Sequence, residues 1–305
     1  MKVTIVGCGN VGMAISHALL LSEIADDIVL LNRTKERAVG EAIDLQDAVA
    51  FSSKWIRVRG GDIKDAADSD LIIVTLSDKP KQPLRDRNQM AALNLPVMRK
   101  WIPPLAQASP NAVFVMVSNP VDVMTWVAWK LSGLPARQFI GSGTLIDSVR
   151  WRMLLSLDLN IHPEDIRAYI FGEHGSTQFP ATSLSVTGGQ KIDNLPHYEE
   201  LFQKASVAAF EIYNRKGSTT FGIAGAMMEI ARSVLQDTNR TLPVSVVLED
   251  HYGVSDVCLS VPVIVGRGGV ERMLFPKLSD EEVSKFQASG DHVRKVIESL
   301  GPIVP

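Results

Sequence analysis

Residues 3–20 read VTIVGCGNVGMAISHALL, and how this stretch is understood decides the fold. A strand-like run, Val3 to Val6, meets Gly7, Gly9 and Gly12, and an apolar helical pattern spans Val11 to Leu21. Each glycine has a distinct use in such a strand–turn–helix unit. The first permits the tight turn, the second lets the backbone approach a pyrophosphate, and the third lets helix and strand close on each other. The pyrophosphate would rest on the helix N-terminus at Asn10 and Val11, where free amides and the helix dipole favour an anion. A glycine-rich turn with no ligand is the alternative. The strand before it and the helix behind it favour dinucleotide binding.

Outward from this unit the same alternation continues. DIVLL (27–31) precedes a helix near Glu36 to Ala50. IRVRGG (56–61), DLIIVTL (70–76), AVFVMVS (112–118) and QFIGSG (138–143) give further strands. The near-continuous apolar runs at 70–76 and 112–118 are those of strands covered on both faces. Strand and helix in alternation predict an α/β fold, a doubly wound parallel sheet of the Rossmann type. After Thr144 the pattern changes. A helix carries LIDSVRWRMLLSL, followed by strand patterns in IRAYIFGEHG and ATSLSVTGG. Helices near 198–215 and 222–236, strands PVSVVLE and VCLSVPVIVG, and a last helix near 281–300 complete an α+β second half. The expected division is a dinucleotide-binding domain at 1–142 and a substrate and catalytic domain at 143–305, with a ligand cleft between them.

Composition narrows the classes. The chain has 305 residues, 46% of them hydrophobic, enough for a large core, and a formal charge of -3. That charge gives no basis for nucleic-acid or membrane-surface partners. The two cysteines, Cys8 and Cys258, show no metal or disulfide spacing, so no metal is expected and both read as buried small hydrophobes. No signal segment and no apolar run of about 18 residues is evident, so a soluble, cytoplasmic protein is expected. GPIVP reads as a short loose tail.

Position 32 lies about twenty residues past Gly12, where an acid would bind the ribose hydroxyls of NAD and repel a 2′-phosphate. The sequence here is Asn32-Arg33-Thr34, with Arg37 a turn further on. Arginine forks suit phosphate oxygens, so this end reads as a phosphate cradle and favours NADP(H). The alternative is that Asn32 bonds the ribose, the arginines are solvated, and NAD(H) is the cofactor.

The chain resembles the lactate/malate dehydrogenase family along nearly its whole length. The resemblance rests on VGCGNVG, GEAIDLQDA, SNPVDVMT, GSGTLIDSVRWR, GEHGSTQFPA and VPVIVGRGGV, in the family's order and spacing. It implies hydride transfer between a nicotinamide and a 2-hydroxy acid. His174 would be the acid/base, giving a proton to the ketone oxygen or taking it from the hydroxyl. Asp147 would hold its ring and favour the charged form. Arg150, three residues on in the same helix, would clamp the substrate carboxylate. Taken singly, an Asp and an Arg at this spacing form a surface ion pair and a His before glycine is a turn residue. Asn119 would bridge substrate and nicotinamide ribose, or serve only as a turn former. Thr219 and Ile223 would face the substrate and the nicotinamide ring, with helix packing as the alternative. Thr75 and Asn94 join the expected cofactor-binding set. His17, His162, His197, His251 and His292 read as structural or solvent-facing.

Residues 78–87, polar and proline-bearing, read as a lid over the cleft. Arg87 matches the family's carbonyl-polarising arginine. Lys81 matches the position that reads the far end of the substrate, where malate dehydrogenases usually have arginine and lactate dehydrogenases glutamine. A cation there can pair with a second carboxylate, which puts malate/oxaloacetate first, then lactate/pyruvate, then bulkier 2-oxo acids. Three departures from the family's pattern stand out: Leu76-Ser77 for Ala-Gly, Leu84 for a glycine, and Ser176 for an aspartate. They motivate a competing reading, a dinucleotide-binding sensor without catalysis. The resemblance further implies a homodimer or homotetramer.

Overall fold

The computed structural model describes residues 1–78, 88–193, 195 and 197–304. Lid residues Lys81, Leu84 and Arg87 therefore lie outside the described residues. The first half runs β1 (Lys2–Val6), α1 (Asn10–Ser22), β2 (Asp27–Leu31), α2 (Lys35–Ala48), β3 (Arg57–Gly61), β4 (Leu71–Val74), α3 (Asn88–Ala108), β5 (Val113–Met116), α4 (Val121–Ser132) and β6 (Phe139–Gly141). The second half runs α5 (Leu145–Leu159), the two-residue strands β7 (Ile166–Arg167), β8 (Ile170–Phe171), β9 (Phe179–Pro180), β10 (Val186–Thr187) and β11 (Gln190–Lys191), then α6 (Tyr198–Lys216), α7 (Phe221–Gln236), β12 (Arg240–Val247), β13 (Cys258–Gly266), β14 (Gly269–Met273) and α8 (Asp280–Ser299).

Among the described residues the central sheet has nine strands in the order β14-β13-β12-β6-β5-β4-β1-β2-β3. The six strands of the first half are parallel to their neighbours, as the alternation predicts. Leu71, Ile72, Ile73 and Val74 of β4 are each at most 1% exposed, because helices cover both faces. Burial of such a side chain stabilises by roughly 1.5–3 kcal/mol, so these strands hold the sheet together. Strand order reverses at β1/β4, which opens a crevice beyond their C-terminal ends.

The second half extends the same sheet instead of building a separate one. β12 joins β6 antiparallel through the Ser245–Gly141 pair and carries β13 and β14 with it. The sequence pattern places the start of β12 at Pro243. The strand begins at Arg240, because Pro243 sits opposite Pro262 and costs less ladder bonding there. The pattern gives no sign of β14, whose GVERM has polar residues on an outer strand. The single strands expected in IRAYIFGEHG and ATSLSVTGG are broken pieces, the second preceded by a 3-10 turn at Thr182–Leu184. A second small core under α6 sets Trp151 edge-on to Tyr198, ring centroids 4.8 Å apart, with Phe202 beside them.

The opening glycine turn has little spare space. Gly7 has φ +116°, and a Cβ on Gly12 would lie 1.9 Å from the Gly7 carbonyl oxygen. Gly12→Ala is expected to lower stability by about 2 kcal/mol through overpacking of helix on turn. Urea unfolding monitored by fluorescence tests this, and an unchanged midpoint would show that α1 does not need this close approach.

Candidate active site

At the nucleotide end, α1 starts at N-cap Gly9 with no side-chain cap and no acid in its first turn. A Cβ at Gly9 would meet nothing within 4 Å, so the space over the helix N-terminus is open. Free amides, the positive end of the dipole and room above them fit a dinucleotide pyrophosphate. Asn10 and Val11 open the helix, and the Asn10 amide donates to Ser218 Oγ at 3.3 Å, beside Thr219. Thr219 is half-buried just before α7, and Ile223 is buried in the first turn of α7. Both sit where α1 and α7 pack together.

Thr75 and Asn94 hold the crevice from behind. The Thr75 hydroxyl donates to the Gly7 carbonyl at 2.9 Å. Asn94, fully buried, accepts from the Asp78 N–H at 2.8 Å and donates to the Asn119 carbonyl at 2.6 Å. Asn119 itself is exposed after β5, and its side-chain amide bonds no described residue.

The residues at the end of β2 are engaged with protein. Asn32 accepts from the Cys8 N–H and donates to the Thr34 carbonyl, each at 3.3 Å. Arg33 pairs with Asp78 at 2.5 Å and donates to the Ser77 carbonyl at 2.9 Å. Arg37 pairs with Glu41 at 3.5 Å, and Thr34 is the N-cap residue of α2 without a side-chain cap bond. Cys8 and Cys258 are both buried, and burial chiefly pushes the Cys8 thiol up to about 11.

In the second half of the chain, Asp147 stands in the first turn of α5, 2% exposed. One oxygen meets His174 Nδ1 at 2.5 Å and the other meets Arg150 Nη1 at 3.1 Å. The separation of Asp147 and Arg150 by three residues on one helix thus becomes a real contact, in a pair far less exposed than a surface ion pair. A cavity of about 560 Å³ is lined in part by Asp147, His174, Asp122, Glu173, Gln178 and His292.

Only Asp147 and His174 among these were expected at the site, and two of the others stand out. Asp122, in the SNPVD segment, is 3% exposed. It accepts from the His174 backbone N–H at 2.7 Å and from Ser245 Oγ at 2.6 Å. Burial raises its carboxyl from 3.8 to about 6, against those two hydrogen bonds and with added repulsion from Glu173. Its signal was its type alone, an acid in the first turn of α4, which usually stays solvated. His292, expected to be structural or solvent-facing, lines the cavity with its Nε2 3.5 Å from Glu173. Of the others, His251 is fully buried against Tyr252, Phe275 and Phe286, and burial pushes it down to about 4. His162 and His197 are on the surface, as is His17. No group of His, Cys, Asp and Glu among the described residues could hold a metal ion.

A glycine turn open to a dinucleotide pyrophosphate and an imidazole–carboxylate–guanidinium cluster are the two features that an oxidoreductase of the 2-hydroxy-acid type requires. Residues 1–141 match the lactate/malate dehydrogenase NAD binding domain, and residues 144–301 match the lactate/malate dehydrogenase alpha/beta C-terminal domain. The chain belongs to the lactate/malate dehydrogenase family. It is 37% identical to an L-lactate dehydrogenase of Synechococcus over 98% of this chain and 99% of that one. It is 34% identical to one of Latilactobacillus sakei, over 97% and 93%. Among solved structures it resembles a lactate dehydrogenase from a Medee basin deep-sea metagenome library, with TM-score 0.94, 32% identity and 99% coverage of both chains. It also resembles the minor L-lactate dehydrogenase of Enterococcus mundtii in its ligands-bound form, with TM-score 0.93, 32% identity and 98% coverage of both.

The raised Asp122 carboxyl has a sign that can be tested. A group whose folded pKa lies above its unfolded value favours folding at low pH, and that contribution is lost as pH rises from 3.8 through about 6. Asparagine keeps an acceptor for the His174 N–H and does not titrate. The stability of Asp122→Asn relative to the parent is therefore expected to rise between about pH 4 and pH 7, as read by urea melts at each pH. A difference that stays flat over this range would show that Asp122 is not held in a penalising environment.

Proposed function

We propose that this chain is an NAD(H)-dependent L-2-hydroxy-acid dehydrogenase, with lactate/pyruvate as its first substrate pair. The observation that carries the proposal is Asp147 bonding both His174 and Arg150. The nicotinamide, when bound, supplies or receives the hydride at the substrate's C2. Asp147 faces His174 Nδ1, so Nε2 is the atom that gives the proton to the ketone oxygen or takes it from the hydroxyl. The Asp147 anion favours the imidazolium needed for reduction. Its other oxygen holds Nη1 of Arg150, and the rest of that guanidinium is the clamp for the substrate carboxylate. With the cofactor bound, Asn119 would bridge substrate and ribose, Thr219 and Ile223 would wall the nicotinamide ring, and Arg87 would polarise the carbonyl.

Sequence reasoning put malate first because of Lys81. The relatives named L-lactate dehydrogenase move lactate ahead of it, with malate and bulkier 2-hydroxy acids as further substrates to try. The NADP(H) preference expected from Asn32, Arg33 and Arg37 finds no support in a family described by its NAD binding domain. The arginines' carboxylate partners favour NAD(H) as well. Exposed Ile43 on α2, Trp55 beyond it, and Val207, Phe210 and Tyr213 on α6 suit a homodimer or homotetramer. No helix among the described residues is long and apolar enough to cross a membrane, and we place the protein in the cytoplasm, without nucleic-acid or membrane partners.

Purified protein is expected to oxidise NADH with pyruvate, and His174→Ala to lose about a thousandfold in kcat. Absence of turnover with pyruvate, oxaloacetate and 2-oxoisocaproate would favour the non-catalytic sensor instead. Within the active enzyme, Lys81→Gln is expected to weaken oxaloacetate reduction far more than pyruvate reduction. Equal losses of kcat/KM on both substrates would remove Lys81 from substrate recognition.

A further inference from the structure

The ends of β2 and β4 flank β1 in the sheet, so the chain leaving them borders the crevice above the glycine turn on both sides. The flanks are tied to the turn by backbone bonds, Gly7 N–H to Leu31 O at 2.7 Å and Thr75 N–H to Val6 O at 2.9 Å. Arg33 leaves one flank and Asp78 the other, and their ion pair with the added Arg33–Ser77 bond spans the crevice mouth. Asp78 is itself braced, since its N–H donates to the buried Asn94.

Asn32 stands where an acid would choose between ribose hydroxyls and a 2′-phosphate, yet its amide is turned inward. Its oxygen takes the Cys8 N–H and its nitrogen gives to Thr34. The neutral residue is therefore occupied by holding the turn, and discrimination falls to the charged pair outside it. We propose that Asp78, acting through Arg33, is the residue that selects the unphosphorylated dinucleotide in this protein. It rests on the reading that a nicotinamide dinucleotide lies in this crevice.

The physical case has two parts. Asp78 occupies the guanidinium that a 2′-phosphate would need, and it puts a negative charge next to the place that phosphate would take. The other cations described at this end are matched too, Arg37 by Glu41 and Lys35 by Asp62, so neither is a spare anchor. The pair is about half exposed, 46% for Arg33 and 43% for Asp78. Its own contribution to stability is therefore small, and it can be altered without loss of the fold. The acid that the sequence lacks at position 32 is thus delivered from the loop after a different strand. An acid at 78 is invisible to a motif that looks only along β2.

The test is equilibrium binding of NADH and of NADPH, by nucleotide fluorescence, to the full chain without any 2-oxo acid. The parent protein is expected to bind NADH more tightly. Asp78→Asn is expected to tighten NADPH about tenfold, the scale of removing one charge near a phosphate at a half-exposed site, while NADH changes by less than about threefold. Asp78→Glu is expected to keep the parent ratio, and Arg33→Ala added to Asp78→Asn to cut the gain to the part owed to the removed charge. A ratio unchanged in Asp78→Asn, a gain that Arg33→Ala leaves undiminished, or a parent that prefers NADPH would each overturn the proposal. Since no turnover is measured, failure of the dehydrogenase reading and failure of this one are separate results.

Discussion

One buried carboxylate fixes where an imidazole and a guanidinium stand relative to each other. Asp147 has two oxygens, and each is committed to a different cation-forming group, one imidazole and one guanidinium. A carboxylate lying this deep would be costly alone, and two charge-assisted bonds together with the N-terminal end of α5 offset that cost. The helix is anchored in turn. Thr144 N–H donates to Ser260 Oγ on β13, and Ser148 Oγ accepts the Ile170 N–H, both at 2.9 Å. Ile170 leads straight into the Gly172–His174 segment, so the helix that carries the carboxylate also holds the loop that carries the histidine.

Asp122 works on the same histidine from the backbone side. Its bonds reach the His174 N–H and Ser245 on β12, and Glu173 is held by Ser289 and His292 of α8. Only Asp147 meets the imidazole itself, while Asp122 and Glu173 add two further carboxyl groups along the same loop. Such a cluster repels an anionic substrate, so a guanidinium must stand in it to bind a carboxylate. Arg150 answers that need because Asp147 uses only one of its nitrogens among the described contacts. Arg150 is therefore the cation that the acidic loop around His174 calls for.

How much of this was legible depended on whether a signal was local. The glycine turn, the apolar runs of β4 and β5, and Asp147 with Arg150 at helical spacing are all features of single elements, and each was read correctly as structure. β14 was missed because an outer strand with polar residues has no clean alternation to detect. Asp122 was missed because its partners, His174 and Ser245, lie 52 and 123 residues away along the chain. Asn32 was seen, but the Cys8 N–H that occupies it and the Asp78 that occupies Arg33 come from the loops after β1 and β4. Motifs report what residues can do, while only the assembled sheet shows which of those capacities are already used.

The continuity of the sheet has a mechanical consequence for the site. Parallel and antiparallel parts meet at β6 and β12, where Ser245 pairs with Gly141 in the ladder and holds Asp122 by its hydroxyl. A Cβ on Gly141 would lie 2.4 Å from Thr125 Oγ1 and 2.9 Å from Ser245 Cβ, so the junction is closely packed. The Gly172–His174 loop is bonded to α4 on the first side and, through Gly172 and Ser260, to β13 on the second. Hinging the two halves would have to break these bonds at once, and bonds to buried charged groups are costly to leave unmade. The seam between the halves is therefore held by several bonds at once, and a side chain mounted there keeps a fixed position relative to both halves.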